Sequence, residues 1–327
     1  MDDSQEHNLG ALVTQWYKKN GRQNLPWRKS VTPYKVWISE MMLQQTQVVT
    51  AQSYYRKFLK KYPSLSSMKM ATEDDILSLW SGLGYYRRAS FIYQAKEKIF
   101  LDFNGRFPTT YDELITLPGI GRSTAGAILS IAYQKPFPIL DANVKRVIAR
   151  LFLQKDFKEG LFWNLSAQCL DEDDPYSYQQ GIMDIGATLC TPKAPLCPEC
   201  PLNKNCLAFK KNDFRLPSTK KPIKKDVYLE FSLYKDGPRY FLAQTEALGF
   251  WKKLWMPPVK IVNKFNATNK HALSHRHIHF RFKQITNLPT DMKGKWFSKK
   301  DLANICLLYT SDAADEGLGV DLGGRRI

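Results

Sequence analysis

The sequence predicts a mainly α-helical core ending near residue 206, followed by a smaller α+β domain. Three observations carry this. Helical hydrophobic periodicity dominates the chain up to about residue 206. Four cysteines, Cys190, Cys197, Cys200 and Cys206, close that stretch with the spacing C-x6-C-x2-C-x5-C. Beyond them the composition turns basic and proline-bearing, and segments alternating in polarity take over.

Thr32 followed by Pro33 is an N-cap with proline at the first helical position, and the helix it opens is expected to run through Trp37 and Met41 to Val48. Further helices are expected at about 51–61, 72–79, 87–103, 111–116, 122–133, 142–153 and 176–189. Residues 207–226, with Lys210, Lys211, Arg215, Lys220, Lys221, Lys224 and Lys225 around Pro217 and Pro222, read as a basic linker. Alternation at 227–234, 239–244 and 277–285 predicts strands of a second domain over 227–305.

Residues 306–327, CLLYTSDAADEGLGVDLGGRRI, read as a translated sequencing adapter, so the natural sequence is expected to stop near Ile305 with the second domain truncated. The whole chain carries a formal charge of +17. That tail holds four acids against two arginines, which leaves +19 for the remainder. Such an excess in a globular, aromatic-bearing chain favours a nucleic-acid partner. No run of eighteen apolar residues exists, so no membrane span is expected. The N-terminus does not resemble a signal peptide, which makes a reducing compartment the default and a disulfide framework the weakest reading of the cysteines.

Soft thiolate ligands gathered this closely can wrap one compact metal site, an iron-sulfur cluster or a structural zinc. The spacing favours a cluster, because zinc sites usually pair two C-x2-C knuckles and here only Cys197 and Cys200 form one. Cys169 stands apart from the four and is expected to be a buried thiol. The clearest backbone motif is Leu117-Pro118-Gly119-Ile120-Gly121 between two helical patterns. Glycines in such a hairpin let backbone N–H groups at a helix start approach a phosphate. Twenty residues on, Asp141 sits at the N-cap of an amphipathic helix.

From about residue 8 to 206 the chain resembles the helix-hairpin-helix DNA glycosylases with a four-cysteine iron-sulfur loop, and among them the adenine-specific mismatch glycosylases of the MutY type. The resemblance rests on six segments in order: Leu25 to Arg28, Trp37 to Val48 (WISEMMLQQTQV), Gly82 to Tyr86 with Arg88-Ala89, Leu117 to Gly126 (LPGIGRSTAG), Pro138 to Val147, and the cysteine loop. It implies a six-helix domain over 31–139, an iron-sulfur domain from 8–30 plus 140–206, and DNA in the cleft between them. It also implies one 4Fe-4S cluster on Cys190, Cys197, Cys200 and Cys206, and a monomer in the bacterial cytoplasm, on the nucleoid, with no membrane partner.

Breaking an N-glycosidic bond expels a poor leaving group and builds an oxocarbenium-like sugar, so one acid and one carboxylate are wanted on opposite sides of it. By resemblance, Glu40 protonates the adenine ring and must be held neutral near pH 7 by desolvation, while Asp141 stays ionised with Asn143 beside it. The related endonuclease III type attacks the sugar with a lysine in the hairpin. Here that position is Ser123, whose hydroxyl cannot form the imine, so a glycosylase with little or no lyase activity is expected. A base inside a duplex must be extruded. Gln45 and Tyr85 match the family's intercalating and wedging positions, with Thr46, Leu83, Gly119 and Gly121 as further DNA contacts. Trp27, Arg28, Leu43, Val48, Gln180 and Met183 match its adenine pocket.

The second domain resembles the family's Nudix-like module, in which Ser274 and His275 would probe 8-oxoguanine. The Glu-rich hydrolase signature is absent from it, so nucleotide hydrolysis is not expected. The partner implied is duplex DNA carrying adenine opposite 8-oxoguanine or guanine. Two alternatives stay open: a glycosylase of the same fold with another base preference, and a non-catalytic DNA-binding iron-sulfur protein. Gln44-Gln45-Thr46 with Glu40 argues against the first, and the presence of both Glu40 and Asp141 against the second.

Overall fold

The computed structural model describes residues 8–217, 223–245, 247–267, 269–273 and 276–302. Its contacts divide the chain into two compact units, Met1–Lys69 with Gln94–Lys220, and Met70–Tyr93 with Lys221–Ile327. The helices are α1 (Leu9–Asn20), α2 (Pro33–Leu43), α3 (Val48–Lys61), α4 (Glu73–Trp80), α5 (Arg87–Asp102), α6 (Tyr111–Ile115), α7 (Arg122–Tyr133), α8 (Ala142–Leu151), α9 (Glu159–Gln168), α10 (Pro175–Asp184) and α11 (Leu207–Lys210).

In the helical unit α1 lies along α10 and α2 along α7, while α7 also meets α10. Asn8 caps α1 by accepting the Ala11 N–H at 3.1 Å, and Thr32 caps α2 by accepting that of Lys35 at 3.2 Å. Gly181 is what lets α1 and α10 close up, since a Cβ there would stand 2.9 Å from Val13 Cγ1 and 3.0 Å from Tyr17 Cβ. Trp37, Ile38, Met41 and Met42 from α2 are fully buried with Ile128 and Leu129 from α7 and Ile148 from α8. Among the described residues no helix is long and apolar enough to cross a membrane.

The helix opened by Thr32 does not reach Val48. It ends at Leu43, Gln45 adopts a left-handed φ of 57°, and α3 starts afresh at Val48. Nothing in the polar run Gln44-Gln45-Thr46-Gln47 marks this break, because it contains neither glycine nor proline. The expected 176–189 helix begins at Pro175, leaves α-geometry after Asp184, and continues as a π-helical turn over Ile185–Leu189 that delivers the chain to Cys190. Helix α9 was not foreseen, and its start carries no side-chain cap. The expected linker is partly ordered: Leu207–Lys210 is helical, and Arg150 donates from Nε and Nη2 to the Phe214 carbonyl at 3.1 and 2.8 Å.

The second unit holds α4, begun by a reciprocal cap between Thr72 and Asp75. It also holds β1 (Lys225–Leu233), β2 (Lys235–Asp236), β3 (Arg239–Leu242), β4 (Val259–Ile261), β5 (Asn269–Ala272), β6 (Arg276–Gln284) and β7 (Lys295–Ser298), then α12 (Lys299–Leu302). One sheet has the order β4-β1-β6-β5 and the other β2-β3-β7. The central pair β1 and β6 is parallel, with Leu229 opposite Phe280, and Leu229, Phe231 and Ile278 are buried. The three expected strands are thus present as β1, β3 and β6, whereas β4, β5 and β7, three or four residues each, are too short for alternation to reveal. Ser274 and His275 lie outside the described residues, as does the 306–327 segment. Of the remaining histidines on β6, His279 stacks on Tyr228 and bonds Asp226 at 2.7 Å.

A Cβ on Gly126 of α7 would stand 2.5 Å from the Pro138 carbonyl oxygen, a backbone atom that cannot swing aside. Gly126→Ala is therefore expected to destabilise the helical unit by about 1–3 kcal/mol, read as a fall in the midpoint of thermal unfolding. An unchanged midpoint would show that the 138–141 segment is not held against α7.

Candidate active site

The segment from Lys135 to Asp141 has no regular secondary structure and is stitched down on both sides. Ser130 Oγ of α7 donates to the Phe137 carbonyl at 2.9 Å and accepts the Phe137 N–H at 3.2 Å. Ser166 Oγ of α9 donates to the Ile139 carbonyl at 2.7 Å, and Ser123 Oγ accepts the Leu140 N–H at 2.8 Å. Asp141 follows directly and caps α8, its Oδ1 accepting the Val144 N–H at 2.7 Å. The same carboxyl thus serves as a helix cap and acts electrostatically on a second acid.

That acid is Glu40, on the last turn of α2. The residue keeps part of its surface open while protein crowds round its carboxyl. Burial first, and then the Asp141 carboxylate, raise its pKa to about 7 against the opposing pull of Arg28. Burial also raises Asp141, but the backbone N–H groups of Val144 and Asn143, with Arg146 and Lys145, act to keep it charged. The environments therefore separate the two acids: helix N–H groups and two cations favour charge on Asp141, and that charge favours the proton on Glu40.

Arg28 is buried in the turn ahead of α2, and both its terminal nitrogens hold Asp184, Nη1 to Oδ2 at 2.7 Å and Nη2 to Oδ1 at 2.9 Å. Asp184 has no exposed surface and also accepts from Arg22, through its N–H at 2.9 Å, Nε at 2.8 Å and Nη2 at 2.6 Å. Trp27 meets Tyr55 of α3 edge-on at 5.6 Å and is buried, as is Gln180, while Leu43, Val48 and Met183 are half-buried. Gln45 is exposed and Thr46 half-buried. In the hairpin, Gly119 has a φ of 80° and needs glycine for it; Gly121 has an ordinary φ of −92°, and a Cβ there would meet nothing within 4 Å.

Leu83 and Tyr85 belong to the other unit. Leu83 is buried, whereas Tyr85 is 43% exposed and takes a left-handed φ of 50° between Gly84 and Tyr86. Arg88 braces the turn, donating to the Gly84 carbonyl at 3.0 Å and lying over the Trp80 and Tyr85 rings. The two residues expected to enter the duplex, Gln45 and Tyr85, are thus exposed non-glycine residues in a disfavoured backbone region, where functional strain tends to be stored.

The four loop cysteines form no disulfide and share one neighbourhood. Burial, then Cys190 and Cys206, raise Cys197, and burial with all three of the others raises Cys200 to about 12. Arg150 Nη1 reaches Cys190 Sγ at 3.4 Å and donates to the Thr191 carbonyl at 2.7 Å, while Arg146 donates to the carbonyls of Cys190 and Gly186 and to Asn143 Oδ1. A donor set of four thiols fits a soft metal group. Among the described residues no three His, Cys, Asp or Glu side chains converge as a single-ion site. Cys169 is buried, as expected, and burial lifts its thiol to about 12. The residues that sequence reasoning missed are Asp184, Arg22, Arg146 and Arg150; a lone acid inside the apolar run Ile182-Met183-Asp184-Ile185 was the available signal for the first.

Residues 38–161 match the family model described as HhH-GPD superfamily base excision DNA repair protein. The adenine DNA glycosylase of Buchnera aphidicola subsp. Schizaphis graminum is 40% identical over 336 residues, covering 91% of this chain and 95% of that protein. The human adenine DNA glycosylase is 38% identical over 213 residues, covering 61% of this chain and 39% of that one. Among solved structures, a thermostable thymine-DNA glycosylase superposes with a TM-score of 0.57 at 26% identity, over 62% of this chain and 95% of that one. An endonuclease III in a non-covalent DNA complex, 22% identical with a TM-score of 0.54, shares the fold. With a relative matched at this identity along almost its whole length, the chain belongs to the adenine DNA glycosylase family, within the HhH-GPD superfamily.

Proposed function

We propose that the chain is a base-excision repair glycosylase that removes adenine mispaired with 8-oxoguanine or guanine in duplex DNA, leaving the strand uncut. One observation carries the reading: Glu40, its pKa raised to about 7 by burial and by the Asp141 charge, is coupled to Asp141, where helix N–H groups and two cations oppose the rise that burial imposes. Family membership supplies the base. Glu40 gives its proton to the extruded adenine ring, and the C1′–N bond breaks with its electron pair going to the base. Asp141 offsets the positive charge that develops on the sugar, and water then adds at C1′ and passes its proton to the Glu40 carboxylate, which restores the acid. The backbone at Gly119 to Gly121 and the N-terminus of α7 supply N–H groups for a DNA phosphate.

Cys190, Cys197, Cys200 and Cys206 would hold one 4Fe-4S cluster, whose iron–thiolate bonds fix the loop that Arg146 and Arg150 fasten to α8. The sheet-bearing unit is read as a Nudix-like module that checks the base opposite adenine. The protein is read as acting in a reducing cytoplasm, on the nucleoid, as a monomer.

Single-turnover excision is expected from duplexes carrying adenine opposite 8-oxoguanine or guanine, and not from thymine opposite guanine or thymine glycol, with strand breaks appearing only after alkali. The rate should fall as pH rises through about 7, because Glu40 is then deprotonated. Glu40→Gln and Asp141→Asn should each reduce excision by at least ~100-fold with duplex binding largely retained. Excision of adenine by Glu40→Gln at the wild-type rate would rule out its role as the acid.

Ser123→Lys should introduce borohydride-trappable cross-linking to DNA, since an amine can form the imine that the hydroxyl cannot. Absence of any trapped complex from an active Ser123→Lys protein would count against Ser123 lying beside the sugar.

The protein purified in air should be yellow-brown, with about four irons and four sulfides per chain by chemical analysis. A colourless, zinc-loaded protein of full activity would refute the cluster.

A further inference from the structure

We propose that Asp184 is a positioning residue for the acid Glu40: by clamping Arg28 it fixes how much positive charge the Glu40 carboxyl feels, and with it the pH at which that carboxyl holds a proton. The inference rests on the reading of Glu40 as the acid. Two charged groups act on Glu40 from the elements around α2, Asp141 ahead of α8 and Arg28 in the turn ahead of α2, and they pull in opposite directions. Asp141 helps Glu40 keep its proton; a free guanidinium would strip it. Whether Glu40 can serve near neutral pH therefore depends on how completely the Arg28 charge is answered elsewhere.

Asp184 answers it. Both Asp184 oxygens are engaged by the two terminal nitrogens of Arg28 at 2.7 and 2.9 Å, a two-pronged grip that fixes the plane as well as the distance of the guanidinium. Arg28 Nη1 also reaches the Arg22 carbonyl at 3.2 Å, and the Tyr17 ring lies 5.3 Å from the guanidinium carbon. The third nitrogen, Arg28 Nε, is buried without a partner among the described residues, and Asp184 is the acid that holds this cation. Arg22, which shares Asp184, is about one-third exposed, and solvent screens its charge. Neither Asp184 nor Arg22 has a place in the excision steps, yet the chain buries a carboxylate completely to hold these two arginines.

The test reads Glu40 directly. Protein carrying ¹³C-carboxyl glutamate is titrated without DNA, and the Glu40 resonance is identified by its loss in Glu40→Gln; single-turnover excision is followed over the same pH range. Asp184→Asn leaves the Arg28 charge unanswered and should lower the Glu40 midpoint by about one pH unit, with the descending limb of the excision profile moving to match. An Asp184 that only braced the fold would lower the unfolding temperature and leave the midpoint in place, and a folded Asp184→Asn protein titrating like wild type overturns the proposal. If that variant fails to fold, Arg28→Met with Asp184→Asn decides the matter, because it removes both charges together. Its Glu40 midpoint should lie at or above the wild-type value, and a midpoint below wild type overturns the proposal. Should the wild type excise no adenine, the functional reading fails, while the carboxyl titration still decides whether Asp184 governs Glu40.

Discussion

A fully buried carboxylate, Asp184, is the constraint around which the helical unit is arranged. It sits at the end of α10, where α-geometry gives way to the π-helical turn leading to Cys190. An isolated ion there would be untenable, and removing one partner from such a pair costs about 3–5 kcal/mol. The chain meets the cost by bringing Arg22 and Arg28 across from the segment between α1 and α2, and five donor contacts satisfy both oxygens. The N-terminal segment is thereby pinned to the C-terminal part of the core. The Arg28 charge is thereby brought to act on Glu40.

Electrostatics then divides the work between the two acids. Asp141 and Glu40 are both drawn toward neutrality by burial, and what separates them is local donors. Asp141 caps α8 and so receives helix N–H groups with Arg146 and Lys145 behind it, whereas Glu40 sits near the C-terminal end of α2, where the helix dipole disfavours a negative charge. A carboxyl at a helix start and a carboxyl at a helix end thus differ in proton affinity before either meets a substrate. Asp141's role as a cap and its chemical role meet in one interaction, because the N–H group that the cap engages opposes the rise that burial imposes on it.

Much of this was legible in the sequence wherever the signal is local. The span of α7 follows from the glycine hairpin before it, α2 starts at its threonine and proline, and the strands β1, β3 and β6 follow from alternation. Glu40 and Asp141 were legible only jointly, through motifs that match a family in order. What stayed hidden is set by distance. The end of α2 at Leu43 depends on where Gln44 and Gln45 must turn, with Gln44 Nε2 3.5 Å from Thr124 Oγ1, a residue eighty positions away. Asp184 and Arg28 are separated by 156 positions, and neither periodicity nor composition records such a pairing. Arg28 matched a pocket position in the sequence, and its observed contacts show a guanidinium already committed to an acid.

Helix α8 shows why the cysteine loop and the acids cannot be considered apart. Its first residue follows Asp141, while Arg146 and Arg150, one turn apart, reach across to the chain around Cys190 and to Phe214. Gly186 allows this, since a Cβ there would stand 2.7 Å from Asn143 Cβ and push the π-helical turn off α8. Five main-chain carbonyls, of Gly186, Cys190, Thr191, Pro192 and Phe214, are bonded by two guanidiniums whose stems lie on a single rigid helix. A shift of the loop therefore has no soft joint in which to dissipate before it reaches the N-cap. The position of the Asp141 carboxyl is set at one end by Ser123 and Gly126 of α7, and at the other by how the cysteine loop is held.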